Sequence, residues 1–86
     1  MPSISRFHGI VIEMYFDDHA PPHFHARAAG HKAKVQIDNF EIVKSDLTRA
    51  QIALIRTWAR LHQDELEENW RRARNSERLA QIEPLR

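Results

Sequence analysis

The 86 residues, 10.2 kDa, make one domain at typical domain sizes and exclude a large multi-site enzyme. The absence of cysteine excludes disulfides, thiolate zinc sites and cysteine nucleophiles, so any metal must be held by His and carboxylates. Lys+Arg 13 against Asp+Glu 12 excludes a global cationic field; the chemical signal is 6 His, with His8, His19, His23, His25 and His31 clustered toward the N-terminus.

The β-branched and aromatic run from Gly9 to Phe16 predicts a first strand, with Ile10, Ile12, Met14 and Phe16 alternating onto one face. His8 falls on that apolar parity and reads as a terminal or hydrogen-bonded core residue. Pro21-Pro22 then forces a loop, because proline cannot donate to a ladder and restricts the residue before it. His23 to Ala29 and Lys32 to Asp38 flank Gly30-His31, which reads as a type II′ turn. Pairing Ala29 with Lys32 sets Ala28 opposite Ala33, Ala26 opposite Val35 and Phe24 opposite Ile37 on an apolar face. Arg27 then meets Lys34, His25 meets Gln36 and His23 meets Asp38 on a polar face, and a slip of one residue would mix the two. Asn39-Phe40 turns into a short fourth strand around Glu41 to Lys44.

From Leu47 the apolar period becomes helical. Thr48 with Gln51 forms a capping box, Leu47 with Ile52 has staple spacing, and Leu54, Ile55, Trp58 and Leu61 continue the buried side. An unbroken helix to Ser76 would run roughly 43 Å at ~1.5 Å per residue, against about 30 Å for a compact chain of this length. A break near His62-Gln63 is therefore expected, with Asp64 as a new N-cap and Leu66, Trp70 and Ala73 on the second helix's buried side. His62 marks the helix end, and the tail from Leu79 to Leu85 carries enough apolar residues to pack back.

These pieces predict a single two-layer α+β domain over residues 1–86: a small antiparallel β-meander of three to four strands within 7–45, packed against two C-terminal helices within 48–76, with a packed tail at 77–86. The polar sheet face, carrying His23, His25, Arg27, Lys34, Gln36 and Asp38, stays bare, and Glu13, Tyr15 and Asp17 join it if the first strand neighbours the hairpin. No apolar run approaches the ~20 residues of a membrane span, and the N-terminus lacks a signal-peptide core, so the expected location is the cytoplasm and no membrane partner is expected.

His23 and His25, two apart on a strand, have a spacing by which two imidazoles chelate one metal. Asp38, and His19 or Asp18, are candidates to complete the ligand set for Zn²⁺, Ni²⁺ or Mn²⁺, with Fe²⁺ also suited to N/O donors. The plainer alternative is two polar residues on an exposed strand. A metal-free reading makes His23 and His25 acid and base, with Arg27 and Lys34 stabilising a phosphoryl transition state as in a small ribonuclease. Arg49, Arg56 and Arg60 share one side of the first helix and are candidate phosphate contacts, against the blander reading of a solvated face. The acids of 64–68 followed by Arg71, Arg72 and Arg74 suit the helix dipole. His31 reads as a turn residue.

The stretch from Pro2 to Ile12, the segment from Met14 through His23-Phe24-His25-Ala26, the helical Trp58-Ala59-Arg60-Leu61-His62 with Glu65-Leu66 and Asn69-Trp70, and the tail Ile82-Glu83-Pro84-Leu85 resemble the small prokaryotic domain of unknown function 4160 family. The likeness covers nearly the whole chain, with His23-Phe24-His25 as its distinctive motif. It implies a small stand-alone protein, often encoded beside a second family of unknown function, 2442, in an arrangement like a toxin-antitoxin module. The expected function is accordingly a member of such a two-gene module whose His-rich polar face binds a cognate protein, a metal ion or a phosphate-bearing ligand. A ribonuclease or nuclease and a plain interaction module with structural histidines are the alternatives. RNA, DNA and a second copy of the chain are further candidate partners.

Overall fold

The computed structural model describes residues 2–86. Five strands, β1 (Ser3–Phe7), β2 (Ile10–Glu13), β3 (His23–Ala28), β4 (His31–Gln36) and β5 (Ile42–Ser45), form one antiparallel meander in chain order. Helices α1 (Arg49–Leu61) and α2 (Gln63–Arg74) follow, so the fold is α+β with five strands where three to four were expected.

The extra strand comes from the N-terminus. Ser3, Ser5 and Arg6 break the apolar pattern of β1, yet its backbone pairs Phe7 with Ile10 and Arg6 with Val11. The hairpin turns on His8 (φ 50°) and Gly9 (φ 76°), positive at both positions as a type I′ turn requires. His8 is therefore an exposed turn residue at the end of the strand, which fits the terminal alternative and not the core one. At its other end the first expected strand stops at Glu13 instead of Phe16. Asp17 turns with φ 55°, its N–H reaches the Ala73 carbonyl at 3.4 Å, and Phe16 is left 44% exposed.

The β3–β4 hairpin uses the same device: Ala29 (φ 49°) and Gly30 (φ 83°) are the turn, not Gly30-His31. The pairing consequently slides by two residues, with Ala28 opposite His31, Arg27 opposite Lys32, Ala26 opposite Ala33, His25 opposite Lys34, Phe24 opposite Val35 and His23 opposite Gln36. Because side chains alternate with period 2, such a shift keeps every residue on its expected face while changing its partner. Asp38 does not face His23; it lies exposed in the turn before β5.

One face of the sheet is apolar, and Ile10, Ile12, Phe24, Ala26, Val35 and Ile37 bury against Ile55, Trp58 and Leu66. Trp58 is the centre: its ring lies 5.3 Å from Phe7 and 5.8 Å from Phe24, and its Nε1–H donates to the Glu83 carbonyl at 2.9 Å. Thr48 and Gln51 form the reciprocal capping box of α1, with bonds of 3.1 and 2.9 Å. The break falls at His62, consistent with a molecule measuring 33 × 25 × 23 Å. Asp64, expected as the N-cap of α2, sits inside its first turn, and His62 takes the N-cap position. The C-terminal tail is held by buried Asn69, which bonds both the carbonyl and the N–H of Ala80 at 2.9 Å, and by the Ile82 N–H to Ile4 carbonyl bond of 2.8 Å.

Candidate functional site

The turn at Asp17 folds the segment between β2 and β3 back over the start of β3, and this brings Asp18 onto the two strand histidines. Its Oδ2 lies 2.8 Å from His23 Nε2 and 3.2 Å from His25 Nε2. One ligand atom from each of Asp18, His23 and His25 lies within 4.8 Å of the others. Asp18 Oδ1 accepts from the His19 N–H at 3.0 Å, which orients the carboxylate.

His23 lies on the polar parity of β3 but is only 1% exposed, because the returning loop covers it and its ring packs 5.2 Å from Trp70 of α2. Its Nδ1 is 2.7 Å from the Pro21 carbonyl oxygen. A carbonyl oxygen can only accept, so Nδ1 carries the proton and donates. In the neutral ring this leaves Nε2 as a bare lone pair facing the Asp18 carboxylate. That orientation, with the Nε2 lone pair aimed at Asp18 Oδ2 2.8 Å away, is the one in which an imidazole and a carboxylate share a proton or a metal ion.

His25, 25% exposed, stacks on Tyr15 with ring centroids 4.1 Å apart and planes at 18°. Burial pushes its pKa below the ordinary 6.5, with the Asp18 hydrogen bond working against that and His23 and Lys34 reinforcing it. For Asp18, 15% exposed, burial alone would raise the carboxyl, but the hydrogen bonds from His25 and His23 outweigh it and hold the group below its ordinary 3.8. Beside them Glu13, largely buried, pairs with Arg27 at 2.9 Å. Burial, followed by the Glu13 carboxylate, raises the Tyr15 hydroxyl.

Both His25 and Asp18 resist protonation in the folded state, so the metal-free protein loses stability in acid in two windows. As pH falls below 6.5 the unfolded chain takes a proton that folded His25 accepts only at lower pH; stability carried by Asp18 is present above 3.8 and disappears as pH falls through its lower folded value. In EDTA, the urea midpoint is expected to drop between about pH 7 and 5, and His25→Gln should flatten that limb while sparing the steeper one below about pH 4. An unchanged wild-type midpoint across the upper window would contradict the desolvation of His25.

Of the other residues singled out by sequence, His19 is 86% exposed, with Nδ1 3.5 Å from Asp18 Oδ1, and belongs to the rim. Asp38 is outside the cluster, for the register reason given above. Arg27 is engaged by Glu13, and Lys34 faces His25 directly across the hairpin. Arg49, Arg56 and Arg60 belong to the helical layer against the other face of the sheet, and Arg56 Nε donates to the Phe40 carbonyl at 3.1 Å. His31 opens β4 and bonds Asp46 at 3.0 Å. Since His23 is sealed from solvent, only His25 of the proposed acid/base pair can meet a substrate. Sequence reasoning missed the shared position of Asp18 between the rings and the neighbours Lys32 and Lys44. Lys32 was assigned to the edge of the turn because of the register, and only the parity of β5, read through its pairing with β4, would have revealed Lys44.

Among the described residues no helix is long and apolar enough to cross a membrane. No curated protein and no solved structure matches the chain. The family model described as domain of unknown function (DUF4160) matches residues 9–71, a span that holds Asp18, His23 and His25 and most of both layers. On that match, which covers well over half of its length, the chain belongs to the DUF4160 family.

Proposed function

We propose that the protein binds a divalent transition-metal ion through Asp18 Oδ2, His23 Nε2 and His25 Nε2. The observation that carries the reading is the convergence of these three ligand atoms, with one carboxylate oxygen shared by two imidazoles at 2.8 and 3.2 Å. Bonds of ~2.0–2.1 Å place tetrahedral ligands about 3.3 Å apart, so the three atoms need shifts of only a fraction of an ångström to about 1.5 Å. The Pro21 carbonyl supplies the outer hydrogen bond that fixes a ligating imidazole in the correct tautomer, as second-shell partners do at metal centres. Two nitrogens and one oxygen suit Zn²⁺, Ni²⁺, Mn²⁺ or Fe²⁺ better than the all-oxygen preference of Ca²⁺ or Mg²⁺. Three protein ligands leave positions for water or a ligand on the side of His25, the more exposed imidazole.

Tag-free protein is expected to take up one Zn²⁺ or Ni²⁺ per chain. A ligand bound only by the folded state stabilises it by about 2.7 kcal/mol at a free concentration of about 100 Kd, which for a domain of this size raises Tm by about 10–20 °C. Mg²⁺ at the same concentration should leave Tm unchanged. A protein that retains no metal on purification and shows the same Tm with and without Zn²⁺, Ni²⁺ and Mn²⁺ would sink the proposal.

A further inference from the structure

The bare face of the sheet continues from His25 into a patch of positive charge. Lys32 and Lys34 stand two residues apart on β4 and so share a face, and Lys44 on β5 lies directly opposite Lys34. Like charges directly opposite one another across a ladder repel. None of these three ammonium groups has a carboxylate partner among the described residues. The nearest acids are already engaged: Glu13 by Arg27, and Asp46 by His31 and by the Lys32 N–H at 2.8 Å. Among the other cations, Arg71 and Arg72 are held by Glu68, Arg56 donates to a carbonyl and Arg74 lies over Trp70. In a chain of formal net charge +1, three lysines without a carboxylate partner thus stand together on one face of the sheet. The three lysines, with His25, Ser45 and Asp46, line a shallow depression of about 490 Å³.

We propose that this depression binds the phosphodiester backbone of a single-stranded nucleic acid, with Lys32, Lys34 and Lys44 as the phosphate contacts. Charge complementarity selects a polyanion: an anion between Lys34 and Lys44 converts their repulsion into two attractions. The dimensions select one strand. Neighbouring lysines sit about 5 Å apart across the ladder and about 6.6 Å apart along β4, a patch too small to straddle a major groove about 12 Å wide. An open antiparallel sheet is also a surface on which single strands are bound in other folds. The site adjoins the metal centre but does not depend on it, since none of the three lysines is a ligand.

The test is fluorescence anisotropy of an oligouridylate of about 12 nucleotides, a length within known single-strand site sizes, with EDTA throughout so that failure of the metal reading does not affect the result. Binding is expected at low salt, with log K falling against log[salt] at a slope of about −2, near −0.7 for each of the three contacts. Lys34→Gln/Lys44→Gln should weaken binding at least tenfold and make the slope shallower by about 1.4. Arg49→Gln/Arg60→Gln, which removes as much charge from the helical layer, should leave both unchanged. Absence of binding at low salt, an undiminished affinity in the lysine variant, an equal loss in the arginine variant, or a duplex of the same length bound as tightly would each overturn the proposal.

Discussion

Asp18→Ala is expected to lower Zn²⁺ affinity by more than about 100-fold, because loss even of an outer-sphere partner costs 10–100-fold and Asp18 is the one anionic group in the proposed ligand set. Its Oδ2 is the atom shared by both imidazoles, so no rearrangement of the two rings replaces it. The variant also leaves the buried His23 Nε2 without its partner, which costs about 1–3 kcal/mol of stability in the metal-free protein. Competition titration against a chromophoric chelator reads the first effect and urea unfolding the second. Asp38→Ala, which removes the carboxylate that the sequence placed opposite His23, should change neither. Equal Zn²⁺ affinity in Asp18→Ala and wild type would remove Asp18 from the ligand set.

The largest expected effect on stability belongs to Trp58→Ala. The side chain is fully buried between the sheet and the tail, touching Phe7 and Phe24 and bonding the Glu83 carbonyl. Truncation of a buried Trp costs about 3–5 kcal/mol, against a total of about 5–15 kcal/mol for a natural domain. This variant is expected to be partly or wholly unfolded near 37 °C by circular dichroism and to release the tail to proteolysis. Leu61→Ala, also on α1 but 68% exposed, should stay within about 0.5 kcal/mol of wild type. A Trp58→Ala protein as stable as Leu61→Ala would show that the tail and sheet do not meet through this ring.

Much of the fold is legible in local pattern. The apolar parity of Ile10, Ile12 and Met14, and of Phe24, Ala26, Val35 and Ile37, assigns the core face correctly. The Thr48–Gln51 capping box marks the start of α1, and the length limit of a small domain locates the break at His62. The family resemblance, carried by His23-Phe24-His25 and its flanks, agrees with the match over residues 9–71. The misreadings have a common origin. His8-Gly9 and Ala29-Gly30 are both turns with two positive φ values, and in each the glycine is the second residue, not the first. Reading Gly30 as first moved the ladder by two, which parity cannot detect because residues i and i+2 point the same way. The first strand was missed for a related reason: Ser3, Ser5 and Arg6 belong to it by backbone pairing, not by apolar pattern.

The candidate centre divides along the same line. That His23 and His25 share a strand face follows from their spacing alone, since alternation is a property of the local backbone. Three things were decided only by the tertiary structure: Asp18, not Asp38, is the carboxylate between the rings; His23 is sealed under Trp70; and Lys34 and Lys44 stand opposed beside His25. Each depends on a contact between segments whose meeting is set by the closure of a loop, the register of a ladder or the docking of a helix. The sequence by itself determined which residues face the core and which two histidines stand together. Which charges and rings surround those histidines was settled by non-local contacts that a period-2 pattern leaves open.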